Sequence, residues 1–164
     1  MRLDPEPLIS HLQLKPHPEG GFYAETFRST LSVDSAEHEA VRSASTAIYF
    51  LLRSQDFSAF HRVRSDEVWH HYLGDPLELY LIDEQGTLRV ERLGTDFANG
   101  QRPQALAPRN VLQAARVTAG SHGFTLCGCT VAPGFDFADF ELPSRAVLSA
   151  RFPAHQALFS ELTR

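Results

Sequence analysis

The sequence predicts an all-β sandwich or barrel with helices only at its two ends. Three observations carry that expectation. Short apolar runs follow one another from residue 47 to residue 140, Gly, Asp and Pro turns separate them, and helical periodicity is confined to the stretches before residue 14 and after residue 143.

Taken in order, residues 5–14 read as a helix with Asp4 as N-cap, Pro5 and Pro7 in its first turn, and Leu8, Ile9 and Leu12 as its apolar stripe. Pro16-His-Pro-Glu-Gly-Gly then breaks the chain and releases a strand at residues 22–28. The polar stretch 29–43 has no apolar period and is expected to be a long loop. Residues 47–52 form a continuous apolar run, suited to a strand covered on both faces. Strands follow at 57–63, 67–73 and 77–82, and Asp83-Glu-Gln-Gly turns the chain into another at 87–92. Residues 94–109 read as loop, 111–117, 124–131 and 137–140 as the later strands. Segments 143–150 and 154–162 close the chain as helices split by Pro153. No linker or repeat interrupts this series. The expectation is a single domain over 1–164, with a barrel core at about 20–142 and C-terminal helices over 143–164.

Composition narrows the function. The net charge of −5 is mild and the basic residues are scattered, so a nucleic-acid groove is not expected. Lys15 is the only lysine against fourteen arginines, which leaves Schiff-base chemistry almost no candidate. The longest apolar run, 47–52, is far short of a membrane span. Met1-Arg-Leu-Asp-Pro-Glu-Pro carries acids and prolines where a secretory signal needs an apolar stretch, so the expected location is the cytoplasm. Cys127 and Cys129 fall on one face of a strand, about 6.5 Å apart. They read as reduced core residues.

The chemistry centres on His61-Arg-Val-Arg-Ser-Asp-Glu67. A tight turn between two neighbouring strands would bring the imidazole and the carboxylate to one face, and small β-barrels turn alternate residues inward. Such a pair is a set of metal ligands, a proton-transfer pair, or a buried pair that only fixes the barrel.

These residues resemble the first cupin motif: His-x-His, three or four residues, Glu, six residues, Gly. His61, Glu67 and Gly74 match, and Val63 stands where the second histidine belongs. Pro108-Arg-Asn-Val-Leu-Gln113 resembles the second motif, Pro-x-Gly-x-x-His. Asn110 takes the glycine position, since Asn tolerates left-handed backbone, and Gln113 that of the last ligand. Pro18-Glu-Gly-Gly-Phe-Tyr, Ser65-Asp-Glu-Val-Trp-His, Gly74-Asp-Pro-Leu-Glu-Leu and Gly128-Cys-Thr-Val-Ala-Pro-Gly-Phe-Asp-Phe resemble the signature segments of the DUF985 (cupin 5) family. The resemblance implies an all-β double-stranded β-helix, the cupin or jelly-roll barrel, usually a homodimer. It is a shape similar to the epimerases of nucleotide-linked keto sugars and to plant storage cupins.

Three functions compete on this reading. The first is an isomerase- or epimerase-like enzyme for a sugar or nucleotide-linked sugar, with His61 as general base tuned by Glu67. Gln113, Trp69, His71 and Tyr72 are its candidate ligand contacts; Trp69 also reads as core, and Tyr72 or Tyr23 as the group returning the proton. The second is a metal enzyme holding a divalent transition metal through His61, Glu67, Gln113 and His71. A metal-free site is the expectation, because Val63 cannot ligate and a glutamine amide is a weak ligand. The third is a non-catalytic small-molecule binding module. Glu19, Arg28, Asp136 and Asp139 read as solvated residues or as rim of the pocket, and His11, His17, His38, His122 and His155 carry no assigned role.

Overall fold

The computed structural model describes residues 4–164; Met1–Leu3, where the segment read for a secretory signal begins, lie outside the described residues. The chain runs α1 (Pro5–His11), β1 (Lys15–Pro16), β2 (Phe22–Arg28), β3 (Ser32–Ser35), β4 (Ala40–Ser43), β5 (Thr46–Arg53) and β6 (Phe57–Val63). It continues through β7 (Asp66–Gly74), β8 (Leu77–Ile82), β9 (Leu88–Leu93), β10 (Gln104–Ala107), β11 (Leu112–Val117) and β12 (Phe124–Ala132). It closes with β13 (Phe140–Glu141), α2 (Arg145–Arg151) and α3 (Gln156–Leu162).

Two antiparallel sheets result, ordered β1-β2-β5-β12-β7-β10 and β13-β6-β11-β8-β9, with β3-β4 as a separate hairpin. From β5 onward the chain passes back and forth between the sheets, with only the β8–β9 hairpin staying in one. His61 therefore lies on one wall and Glu67 on the other. Phe50, Leu52, Trp69 and Cys127 from the larger sheet meet Leu79, Leu81 and Ala115 from the smaller one in a shared core. The expected double coverage of β5 holds. Phe50 and Leu52 point into the core, while Leu51 lies under α1 with Leu8, Ile9 and Leu12. Helices α2 and α3 cover the far face of the smaller sheet through Leu148 and Phe159 on Phe60, Tyr80 and Leu112.

Several expectations hold in detail. Asp4 caps α1 by accepting from the Glu6 N–H at 3.1 Å. Asn110 adopts φ 64°, the left-handed backbone expected at the glycine position of the second motif. No described helix is long and apolar enough to cross a membrane.

Others are corrected. Helix α1 stops at His11 rather than residue 14, because Gln13 turns left-handed at φ 53°. The stretch 29–43 contains the β3–β4 hairpin, whose strands satisfy each other's backbone without contributing to the core. The stretch 94–109 contains β10, an edge strand on β7. Its inward residues are Ala105 and Ala107, so pairing rather than residue propensity makes it a strand. Residues 137–139 form a 3-10 turn instead of a strand, because the Asp136 carboxylate accepts from the Ala138 N–H at 2.8 Å.

Candidate functional site

Between the sheets lies a cavity of about 390 Å³. Its polar floor is built from His17, Glu19, His61 and Glu67; Tyr23, Phe50 and Phe137 supply aromatic wall; Lys15, Glu25, Arg28 and Asp136 line it further.

His61, on β6, is 2 % exposed. Its Nδ1 lies 2.8 Å from the Ala59 carbonyl, which can only accept, so Nδ1 carries the proton. In the neutral ring Nε2 is then a bare lone pair. Burial holds the imidazole below its ordinary value, against smaller opposing effects of Glu67 and the Ala59 carbonyl.

Glu19 is the titratable neighbour that meets that lone pair. Its Oε2 stands 3.3 Å from His61 Nε2 and 3.4 Å from His17 Nδ1, and its Oε1 accepts from Ser58 Oγ at 2.8 Å. Burial pushes the Glu19 carboxyl up to about 8, the Ser58 hydroxyl opposing. Burial, with His61 nearby, pushes His17 down to about 3. At neutral pH the floor thus presents a carboxylic acid between two uncharged imidazoles.

Glu67, on β7, faces the cavity from the other sheet. The Gln113 amide donates to its Oε2 at 2.6 Å, and burial raises this carboxyl too, with His61 the largest opposing effect. Gln113 sits across from His61 in the β6–β11 register, and its carbonyl accepts from Trp69 Nε1 at 3.0 Å. One amide N–H and the carbonyl of Gln113 are therefore engaged by the protein.

The sequence-derived site is thus brought together in part. His61 and Glu67 share the cavity, but the carboxyl that stands within 4 Å of His61 Nε2 is that of Glu19. Gln113 stands behind Glu67 as a positioning group. Trp69 is 1 % exposed and is core, set edge-on to Phe50 at 5.5 Å. His71 does not line the cavity. The β7–β12 register slips beside it, and its Nε2 reaches the Asp75 carbonyl at 3.1 Å while Nδ1 is buried without a hydrogen bond. Tyr72 is 53 % exposed and packs edge-on to Tyr49, away from the cavity, so it returns no proton there; Tyr23 does line it.

His17, left unassigned by the sequence, and the contact of Glu19, read there as solvated or rim, with His61 are what sequence reasoning missed. The signal lay in Pro18-Glu-Gly-Gly. Gly20 and Gly21 adopt φ 120° and 69°, and a Cβ at Gly20 would strike the Phe57 carbonyl. That close approach, with the Ala59 N–H donating to the Glu19 carbonyl at 2.8 Å, presses the loop onto β6 and turns Glu19 inward.

The family model described as "Cupin superfamily (DUF985)" matches residues 6–143. The chain belongs to that family. This cupin is 32% identical over 145 residues to the uncharacterized protein YML079W of Saccharomyces cerevisiae, covering 80% of this chain and 71% of the yeast one. It is similar in structure to protein SO0799 from Shewanella oneidensis, at 40% identity and TM-score 0.91 over 99% of this chain and 98% of that one. A hypothetical protein from Leishmania major aligns at 35% identity and TM-score 0.91, over 96% and 97% of the two chains.

The metal set that the cupin motifs suggest does not fit these residues. Val63 has no donor atom, the Gln113 amide oxygen is taken by Trp69, and His71 is turned to Asp75. Among the described residues, no group of three or more His, Cys, Asp or Glu is placed to hold a metal ion. His61 and Glu67 remain, one fewer than the three protein ligands of a catalytic zinc site.

Proposed function

We propose that this cavity binds a small carbonyl compound of sugar size and that His61 Nε2 abstracts a proton next to its carbonyl. The reaction is isomerase- or epimerase-like, on a sugar or the sugar end of a nucleotide-linked sugar, without a metal. One observation carries the reading: the Ala59 carbonyl fixes the His61 proton on Nδ1 and leaves a desolvated lone pair at the cavity floor. The aromatic wall suits the apolar faces of a sugar ring, and the cavity volume of about 390 Å³ suits a molecule of that size. A nucleotide would have to extend past Lys15 and Arg28.

The experiment is a thermal-shift screen of free sugars and sugar nucleotides, followed by exchange of each hit in deuterated water. The expected result is deuterium entering the carbon next to the carbonyl with wild type and not with His61→Ala. Binding without exchange in wild type would make the protein a binding module instead. Stoichiometric metal, bound without an affinity tag and lost in His61→Ala, would replace this reading by a metal-dependent one.

The chain is further proposed to form a homodimer in the cytoplasm. The buried thiols of Cys127 and Cys129 suit a reducing compartment, and exposed Tyr72, Leu73 and Leu106 on β7 and β10 offer apolar surface. Light scattering at micromolar concentration tests the dimer.

A further inference from the structure

Resting on His61 as the base, we infer that Glu19 is the acid partner in the same reaction and that the substrate is an α-hydroxy carbonyl compound undergoing isomerisation. The geometry is specific. Glu19 Oε2 and His61 Nε2 lie 3.3 Å apart, so they address adjacent atoms of one small molecule from the same side. With the His61 proton committed to the Ala59 carbonyl, Nε2 and Oε2 would meet lone pair to lone pair unless one proton lies between them. Ser58 and the tight loop at Gly20 hold Glu19 there.

The chemistry closes on these two groups. His61 Nε2 takes the proton from the hydroxyl-bearing carbon, and that C–H electron pair becomes the C=C bond. The carbonyl π pair moves to oxygen, which takes the Glu19 proton. A neutral cis-enediol results beside an imidazolium and a carboxylate in ion-pair contact. In the second half, the imidazolium returns its proton to the former carbonyl carbon. The Glu19 carboxylate meanwhile takes the proton of the other hydroxyl, whose oxygen becomes the new carbonyl. Both residues end as they began, and no co-reactant is consumed. Epimerisation would need a donor on the opposite face of the ligand. The paired placement of Glu19 and His61 favours aldose–ketose exchange.

The other titratable and charged groups around this pair are His17 on its own loop, Glu67 on β7, Cys129 on β12 and Arg164, whose Nε donates to the Glu19 carbonyl. Lys15, Glu25, Arg28 and Asp136 complete the lining.

Two measurements test the inference on the full chain. Histidine nitrogen NMR of the free protein is expected to find His61 as the Nδ1–H tautomer, its Nε2 signal moving with an alkaline transition absent from Glu19→Gln. Identical His61 titrations in the two proteins would overturn the role of Glu19, whatever the protein does to sugars. With aldoses and ketoses in deuterated water, Glu19→Gln is expected to lower isomerisation by about 10²- to 10³-fold while binding changes little. An unchanged rate would overturn the acid assignment, and epimers formed without isomer would overturn the reaction class. Wild type that exchanges nothing would sink the His61 reading itself, leaving the spectroscopic result to judge Glu19.

Discussion

Gln113 Nε2 donates to Glu67 Oε2 across 2.6 Å, with the Trp69 indole N–H at the other end of the same amide. A three-membered chain of buried groups therefore orients the Glu67 carboxyl from behind. Gln113→Leu removes both bonds at a site that is 2 % exposed. Each buried group left unpaired costs about 1–3 kcal/mol, so a loss of about 2–6 kcal/mol is expected. Urea denaturation checks this, and a loss below about 1 kcal/mol would mean the chain of bonds is not formed.

The floor residues make stability depend on pH in two opposite ways. Glu19 holds its proton more tightly when folded, so its contribution is complete below its ordinary 4.5 and is lost as pH rises through about 8. His17 releases its proton more readily when folded. Its contribution is complete above 6.5 and is lost as pH falls toward about 3. Tm is expected to peak between these limbs. Glu19→Gln should flatten the alkaline limb and His17→Asn the acid one; limbs unchanged in both variants would contradict the buried placement of the pair.

Asp75 anchors the loop before β12. Its carboxylate accepts from the His122 N–H at 3.0 Å on both oxygens and from the Gly123 N–H at 2.5 Å. Asp75→Ala is expected to destabilise by about 2–4 kcal/mol and to speed hydrogen exchange at residues 118–123, with the cavity floor unaffected. Unaltered exchange there would show that the loop is held by something else.

Arg42 binds Asp139 through two nitrogens, at 2.7 and 3.0 Å, tying the β3–β4 hairpin to the segment that carries Phe135 and Phe137. Its guanidinium holds the Asp139 carboxyl below the usual range. In Arg42→Ala, amides 134–140 are expected to exchange faster and any cavity ligand to dissociate faster. Equal exchange in both proteins would mean that the clamp does not restrain the wall.

The order of the fold was legible because alternation and turn residues mark strands locally; the strands at 22–28, 57–63 and 77–82 match residue for residue. Strand β10 was not legible, since its pairing with β7 is decided by a neighbour distant in sequence. His61, Glu67 and Gln113 were readable as a set through motif spacing. Glu19 was hidden by its type: a glutamate in a Gly-rich loop reads as solvated unless the close approach of Gly20 to Phe57 is known. His71 was misplaced because strand alternation fails at the register slip beside it. Alternation from Glu67 puts Tyr72 on the outer face, where it lies 53 % exposed, so its assignment ran against the strand pattern.

Trp69 is the chain's one tryptophan, and its indole N–H ends on the amide that orients Glu67. The barrel therefore carries an intrinsic fluorophore wired to its own floor. Any molecule that shifts Gln113 or changes the charge on Glu67 will alter the emission of that single ring, and occupancy of the cavity becomes measurable in unlabelled protein.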